Sequence, residues 1–379
     1  MGNFVKRLAI LGSTGSIGQQ TLEIVRALPQ RLKVVALACG ADSPLFRDQI
    51  AEFHPRFICT RRISDGDRIP GAHYLSMEEI ASHPDVDLVV VATSGIAGLN
   101  PTLAALRTNK PVALANKEVL VMAGEIVTAE AKRHNVEIVP IDSEHSAIWQ
   151  CLRGEQTKCV SKLILTASGG PFRSKTPAQL AAVTPEEALD HPTWRMGRKV
   201  TIDSATLMNK GMEVIEAHWL FDIPFSQIEV VIHPQSILHS MVEFLDGSTK
   251  AQLSLPDMRL PIQYAVSYPE RWESHFHREA DFTRISSLDF EAVGLDRFPC
   301  LRLAIEAGKK GGTYPAVLSA ADEIAVELFL TKQIGFQDIA DLVARTLDRH
   351  ESVNNPSLED ILAADSWARE TARGRLSSR

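Results

Sequence analysis

Short apolar runs alternate with amphipathic stretches through the first 140 residues, and this alternation confines the start of the chain to a parallel α/β sheet. The runs are 7–11, 33–39, 56–60, 87–93, 111–115 and 136–141. Between them apolar residues recur at helical spacing, most clearly at Thr21, Leu22, Ile24, Val25 and Leu28 and at Val119, Leu120, Met122, Ile126 and Val127. Strands separated by helix-length crossovers pair in parallel, with helices on both faces. The first run closes on Gly12-Ser13-Thr14-Gly15-Ser16-Ile17-Gly18, and a helical pattern begins at once. Glycines at this spacing let backbone N–H groups approach a pyrophosphate, which then sits on the positive end of the helix dipole. The alternative is a merely structural tight turn; the setting, strand–turn–helix at the head of such a domain, favours a dinucleotide.

The ribose end reads less clearly. The second strand finishes in Ala38-Cys39-Gly40, followed by Ala41-Asp42. An acidic residue there often accepts the 2′-hydroxyl of NAD, so Asp42 taken alone leans towards NAD. Arg61 and Arg62, after the third strand, could instead reach a 2′-phosphate or simply form a solvated charged turn.

The densest chemistry lies in Ile141-Asp142-Ser143-Glu144-His145 and Asn209-Lys210-Gly211-Met212-Glu213. In extended or turning backbone, Asp142 and Glu144 share a side. On a helix, Asn209 and Glu213 (i, i+4) and Lys210 and Glu213 (i, i+3) share a face. Three converging carboxylates repel unless a cation lies among them, and oxygen-only ligands favour Mg2+ or Mn2+ over zinc. The adjoining lysine and asparagine suit an anionic, phosphorylated substrate.

Around these stretches lie supporting motifs. The strand pattern 161–167 ends in Ser168-Gly169-Gly170-Pro171, whose small residues and N–H groups can wrap a phosphate. His191-Pro192-Thr193-Trp194-Arg195-Met196-Gly197-Arg198-Lys199 fits neither helix nor strand; a loop carrying Trp and Met reads as a lid over ligand. Asp203 or Ser204 is expected to N-cap the helix bearing Glu213. Strands are expected near 228–232, 238–245 and 249–255, with His239 read as a core or hydrogen-bonded histidine. Helices at 298–309, 315–330, 336–349 and 357–371 carry no clustered chemistry.

Composition excludes other classes. A net charge of −7 without a Lys/Arg block argues against a nucleic-acid binder. No apolar run is long enough to span a membrane, and no signal-peptide pattern precedes the first strand, so a cytoplasmic protein is expected. The five cysteines form no CxxC pair and read as reduced thiols.

GSTGSIG, LANKE (Leu114 to Glu118), IDSEH, TASGGPF (Thr166 to Phe172), HPTWRMGRK, DSATLMNKGMEVIEA and HPQSILHSMVEF occur here in one order and spacing. Together they resemble the 1-deoxy-D-xylulose 5-phosphate reductoisomerase family over nearly the whole chain. The resemblance implies a Rossmann-like NADPH-binding domain (1–140), a central α+β catalytic domain (141–290) with a lid loop at 191–199, and a C-terminal helical domain (298–373). It implies rearrangement of 1-deoxy-D-xylulose 5-phosphate and reduction by NADPH to 2-C-methyl-D-erythritol 4-phosphate, in non-mevalonate isoprenoid biosynthesis. The cation is Mg2+ or Mn2+, with Co2+ a further choice, and a homodimer is expected. By motif position, Asp142, Glu144 and Glu213 hold the metal. Ser168, Ser204, Asn209 and Lys210 grip the phosphate, with His191 in the same pocket. Ser143 and Lys117 touch substrate, while Trp194 and Met196 belong to the closing loop. Thr14, Gly15, Ser16, Ile17, Gly40, Asn116, Glu118 and Gly197 match cofactor positions.

One departure stands out at Ala41-Asp42, where relatives commonly carry a basic or polar residue and Asn. A carboxylate there is expected to weaken NADPH. Two rival readings are a metal-dependent NAD(P) dehydrogenase without isomerisation and a non-catalytic nucleotide sensor. The separate phosphate motif and lid argue against the first, and the intact carboxylates and Lys210 against the second.

Overall fold

Runs such as Leu88–Val91, buried at every position, can only be interior strands of a sheet covered on both faces. The computed structural model describes residues 5–60, 69, 71–276 and 280–374; Arg61 and Arg62 lie outside the described residues. The chain divides into two compact units. One comprises Met1–Val119, Glu125–Ser146 and Asp257–Arg278; the other comprises Leu120–Gly124, Ala147–Pro256 and Glu279–Arg379.

The first unit holds strands β1 (Lys6–Leu11), β2 (Leu32–Cys39), β3 (Phe57–Thr60), β4 (His73–Tyr74), β5 (Leu88–Val91), β6 (Val112–Leu114) and β7 (Ile138–Pro140). They form one seven-stranded sheet in the order β4-β3-β2-β1-β5-β6-β7, parallel throughout. The winding reverses between β1 and β5. At such a switch point the carboxyl ends of the strands leave a crevice for ligand. Pro140 donates no ladder hydrogen bond and accordingly lies on the edge strand β7. Within this unit the segment Asp257–Arg278 meets the rest through Lys6, whose ammonium donates to the Val266 carbonyl at 2.7 Å, and through an Arg259–Glu23 ion pair at 3.3 Å.

The second unit contains β8 (Val160–Ala167), β9 (Ile228–Ile232), β10 (Leu238–Phe244), β11 (Thr249–Leu253) and β12 (Glu291–Ala292). This five-stranded sheet runs β11-β10-β8-β9-β12 and is mixed: β8 and β9 are parallel, the remaining pairs antiparallel. The helices Pro299–Lys310, Tyr314–Leu330, Asp338–Asp348 and Leu358–Arg373 fall close to their expected spans. Tyr314–Leu330 is buried almost all round, as the central member of a bundle must be. Its core also takes in Ile202, Met208, Met212 and Ile215, so the bundle helices and the 198–221 helices share one apolar interior. Among the described residues, no helix is long and apolar enough to cross a membrane.

Two local expectations fail here. Asp203 and Ser204 do not N-cap the helix that bears Glu213. Both lie inside the preceding helix, Arg198–Thr206, where their side chains are buried. The break is made by Leu207 in the left-handed region (φ 58°), and the Thr206 hydroxyl accepts the Met208 N–H at 3.3 Å. The irregular segment of the lid motif also ends earlier, because Arg198 and Lys199 already belong to that helix, with Gly197 as its N-cap.

Candidate functional site

In the first unit the site begins at the C-terminal end of β1. Gly12 takes φ 93°, and a Cβ there would lie 2.4 Å from the Ala92 carbonyl oxygen. Gly18 is equally constrained, since its Cβ would meet the Gly12 oxygen at 2.3 Å. The two glycines let the turn and the following helix, Ser16–Ala27, close tightly on the strand. That helix starts at Gly15 without a side-chain cap or an acidic residue in its first turn. Its N–H groups and dipole therefore face whatever the turn holds, which suits a pyrophosphate. Thr14 and Ile17 are half-buried, while Gly15, Ser16 and Gly40 are exposed. Asn116 is buried, and its amide donates to Thr93 Oγ1 (3.1 Å) and the Gly95 carbonyl (2.9 Å), tying the segment after β5 to the segment after β6. Glu118, also buried, begins the helix Glu118–His134.

At the ribose end the Asp42 carboxylate does not stand alone. Arg47 donates through Nε to Oδ1 and Oδ2 (3.2 and 3.1 Å) and through Nη2 to Oδ2 (2.6 Å). The guanidinium lowers the carboxyl pKa. The expectation of an uncompensated charge at Asp42 is thus corrected. An arginine five residues downstream folds back from the helix Pro44–Phe53.

Asp142 and Glu144 converge through a helix start, the turning rather than the extended form of backbone. The first helical bond of Ser143–Cys151 runs from the Ser146 N–H to the Asp142 carbonyl at 2.8 Å. The helix dipole thus favours both carboxylates, and an oxygen from each lies within 4.8 Å of the other. Lys117 Nζ donates to Asp142 Oδ2 at 2.6 Å, with both side chains largely buried. Ser143 Oγ donates to Glu144 Oε2 at 2.5 Å. The buried His145 places Nδ1 3.9 Å from Asp142, a neighbour the sequence did not single out.

In the second unit, Asn209, Lys210 and Glu213 share a helix face as expected. Asn209 Nδ2 donates to Glu213 Oε1 at 2.5 Å, and Lys210 Nζ donates to Glu213 Oε2. Lys210 and Glu213 are buried. A carboxylate at this depth persists as an ion only among cationic and N–H partners. Carboxylate oxygens are hard donors of the kind that suits Mg2+ or Mn2+.

The turn after β8 meets the lid motif at His191. Its Nδ1 accepts the Trp194 N–H (2.9 Å) and the Thr193 N–H (3.2 Å), so the proton sits on Nε2, 3.1 Å from Ser168 Oγ. Burial lowers the His191 pKa, which agrees with the neutral ring. Ser168 Oγ also accepts the Gly170 N–H at 3.2 Å. With two donors already directed at its oxygen, this hydroxyl keeps its own hydrogen for a further acceptor. A Cβ on Gly170 would stand 2.8 Å from the Ser204 carbonyl, so only glycine brings the turn against the helix carrying buried Ser204. Trp194 and Met196 are half-buried. The Trp194 ring centroid is 6.1 Å from that of His239. His239 is itself buried, with Nε2 2.9 Å from Ser254 Oγ.

Comparison with known proteins agrees with this geometry. Residues 8–124 match the family described as 1-deoxy-D-xylulose 5-phosphate reductoisomerase. Residues 138–221 and 253–371 match C-terminal domains of the same enzyme. The 1-deoxy-D-xylulose 5-phosphate reductoisomerase of Heliobacterium modesticaldum is 53% identical over 384 residues, covering 98% of each chain. That of Chlorobaculum tepidum is 53% identical, covering 97% of this chain and 99% of its own. The Zymomonas mobilis enzyme in complex with NADPH superposes with a TM-score of 0.90 at 42% identity, over 99% of this chain and 100% of its own. A reductoisomerase solved with NADPH, fosmidomycin and magnesium gives 0.91 at 42%, over 98% of each. With that identity along nearly its full length, and with the motif residues in place, the chain belongs to the 1-deoxy-D-xylulose 5-phosphate reductoisomerase family.

Proposed function

We propose that this chain rearranges 1-deoxy-D-xylulose 5-phosphate and reduces the product with NADPH to 2-C-methyl-D-erythritol 4-phosphate, using a divalent cation. The observation that carries the reading is the charge pattern. Lys117 sits on Asp142 and Lys210 on Glu213, so two of the three acids expected to hold a metal lie against positive charge. In this reading Asp142, Glu144 and Glu213 hold Mg2+ or Mn2+. When bound, the cation supplies Lewis-acid polarisation of a carbonyl and its neighbouring hydroxyl. Lys117 and Ser143 orient the substrate beside Asp142 and Glu144. Ser168, Ser204, Asn209 and Lys210 grip its phosphate, with the neutral His191 fixing the Ser168 hydroxyl. Trp194 and Met196 close over it and exclude water. Thr14, Gly15, Ser16, Ile17, Gly40, Asn116, Glu118 and Gly197 hold NADPH. Functionally, 1–140 binds cofactor, 141–290 does the chemistry and 298–373 is a helical domain. We take the enzyme to act as a homodimer in the cytoplasm, which light scattering and cell fractionation test.

The decisive assay adds 1-deoxy-D-xylulose 5-phosphate and Mg2+ to purified protein and follows NADPH absorbance and product mass. A branched, reduced phosphate that disappears with chelator supports the reading; NADPH oxidation with an unrearranged skeleton sinks it. Glu213→Gln should leave the fold intact and lower turnover by roughly two orders of magnitude or more, since one anionic ligand is gone. Near-normal turnover of that variant at limiting Mg2+ would remove Glu213 from the ligand set.

A further inference from the structure

We infer that Arg47 is the residue by which this chain selects the 2′-phosphate of NADPH, with Asp42 as its internal counter-ion. The inference rests on the reading that NADPH is the cofactor. Gly40, Ala41 and Asp42 directly follow β2, which lies beside β1 in the sheet, with Leu11 opposite Ala38. In a doubly wound sheet this is where the adenosine ribose comes to rest. A carboxylate at that place selects a free 2′-hydroxyl when its oxygens are available to accept. Here both Asp42 oxygens are engaged by one guanidinium, at 2.6 to 3.2 Å. The acid is therefore poorly placed to act as a hydroxyl acceptor, and its charge is cancelled at short range.

The same geometry equips Arg47 for an anion. Its side chain is half exposed, against 19% for Asp42, so the arginine is the more accessible member of the pair. A guanidinium presents its N–H donors in a planar fork whose geometry matches phosphate as well as carboxylate. Arg47 belongs to the first turn of Pro44–Phe53, at the positive end of that helix dipole. Among the described residues a Cβ on Gly40 would meet nothing within 4 Å, which leaves the backbone beside the pair room for a ligand. The cancelled acid and the accessible cation at the ribose position together favour a phosphorylated ribose over a free one.

The test is calorimetric binding of NADPH and of NADH to the protein without substrate, so its readout does not depend on turnover. Arg47→Ala should weaken NADPH about 100-fold, because it removes a charged contact and unmasks Asp42, while NADH changes less than about threefold. Asp42→Asn alone should alter NADPH affinity by less than about threefold, since its charge is already paired. Asp42→Asn added to Arg47→Ala should recover about tenfold, the non-additivity expected of coupled neighbours. Equal losses for both cofactors in Arg47→Ala, or a tenfold gain for NADPH in Asp42→Asn alone, would overturn the inference. A wild-type protein that bound neither cofactor would instead overturn the proposed function, and the inference with it.

Discussion

Lys199 offers the sharpest test of how the lid motif is anchored. Its ammonium lies 2.7 Å from Asp203, one turn along the same helix, and 2.9 Å from Asp322 on the central bundle helix. Asp322 is fully buried and Asp203 nearly so. The neighbouring buried Cys300 has its pKa raised, first by desolvation and then by the Asp322 charge, so the acid acts in a poorly solvated interior. Lys199→Met keeps most of the apolar stem and removes the charge. Breaking a buried pair from one side costs about 3–5 kcal/mol, because the remaining carboxylate is stranded. At roughly 2–4 °C per kcal/mol for a unit of this size, the melting temperature should fall by roughly 6–20 °C. Scanning calorimetry reads this directly. Lys199→Met with Asp322→Asn should regain part of the loss, since Asp203 still lacks Lys199, whereas Asp322→Asn alone should stay within about 1 kcal/mol of wild type. A Lys199→Met protein melting within about 2 °C of wild type would refute the argument. A double variant no better than the single would show that packing, not charge, dominates.

Trp194 is half-buried against His239 and tethered through its N–H to His191. Fosmidomycin with Mg2+ should change the intrinsic fluorescence, and Trp194→Phe should remove most of the change; an unchanged spectrum, with Trp194→Phe affecting only melting, would retire the lid role. The His191 pKa is lowered by burial, so the unfolded chain takes up its proton first as the pH falls. Stability from the neutral ring is therefore complete above the unfolded value near 6.5 and declines as the pH drops towards the lower folded value. His191→Gln should reduce the loss of melting temperature between pH 7 and pH 5.5 without abolishing it, because His350 is shifted the same way. An identical pH response in the two proteins would show that His191 contributes nothing to this slope.

The fold was legible where one physical signal dominated. Strands buried on both faces write near-continuous apolar runs, and β1, β2 and β5 lie within a residue or two of where those runs place them. The two-residue strands His73–Tyr74 and Glu291–Ala292 had no such signal, since both are edge strands with little burial. Leu207 in a left-handed conformation was equally hidden: a glycine or asparagine would have marked the helix break, and leucine does not. Without that mark, Asp203 and Ser204 carried the only capping signal, although both are buried in the helix before it. The grouping of Asp257–Arg278 with the first sheet brings together residues more than 200 positions apart, such as Lys6 and Val266 or Glu23 and Arg259, which no local pattern encodes.

The candidate site divides along the same line. Asn209, Lys210 and Glu213 were legible because helical spacing fixes which side chains meet, and their hydrogen bonds follow from i, i+3 and i, i+4 alone. Asp142 and Glu144 were legible as a pair, but the reason for their convergence was not. An i, i+2 spacing left extended and turning backbone both open, and here a helix begins between them and its dipole supports both charges. The partners that set the charge balance were the least legible. Lys117 reaches Asp142 across 25 residues, and Lys199 reaches Asp322 across two helices. Arg47 reaches back five residues to Asp42, a spacing that neither helix nor strand periodicity flags. A residue's chemical type can be read from the sequence, but its effective charge depends on the partner the fold supplies. Asp42, read alone as a mark of NAD, acquires the opposite meaning once Arg47 lies on it.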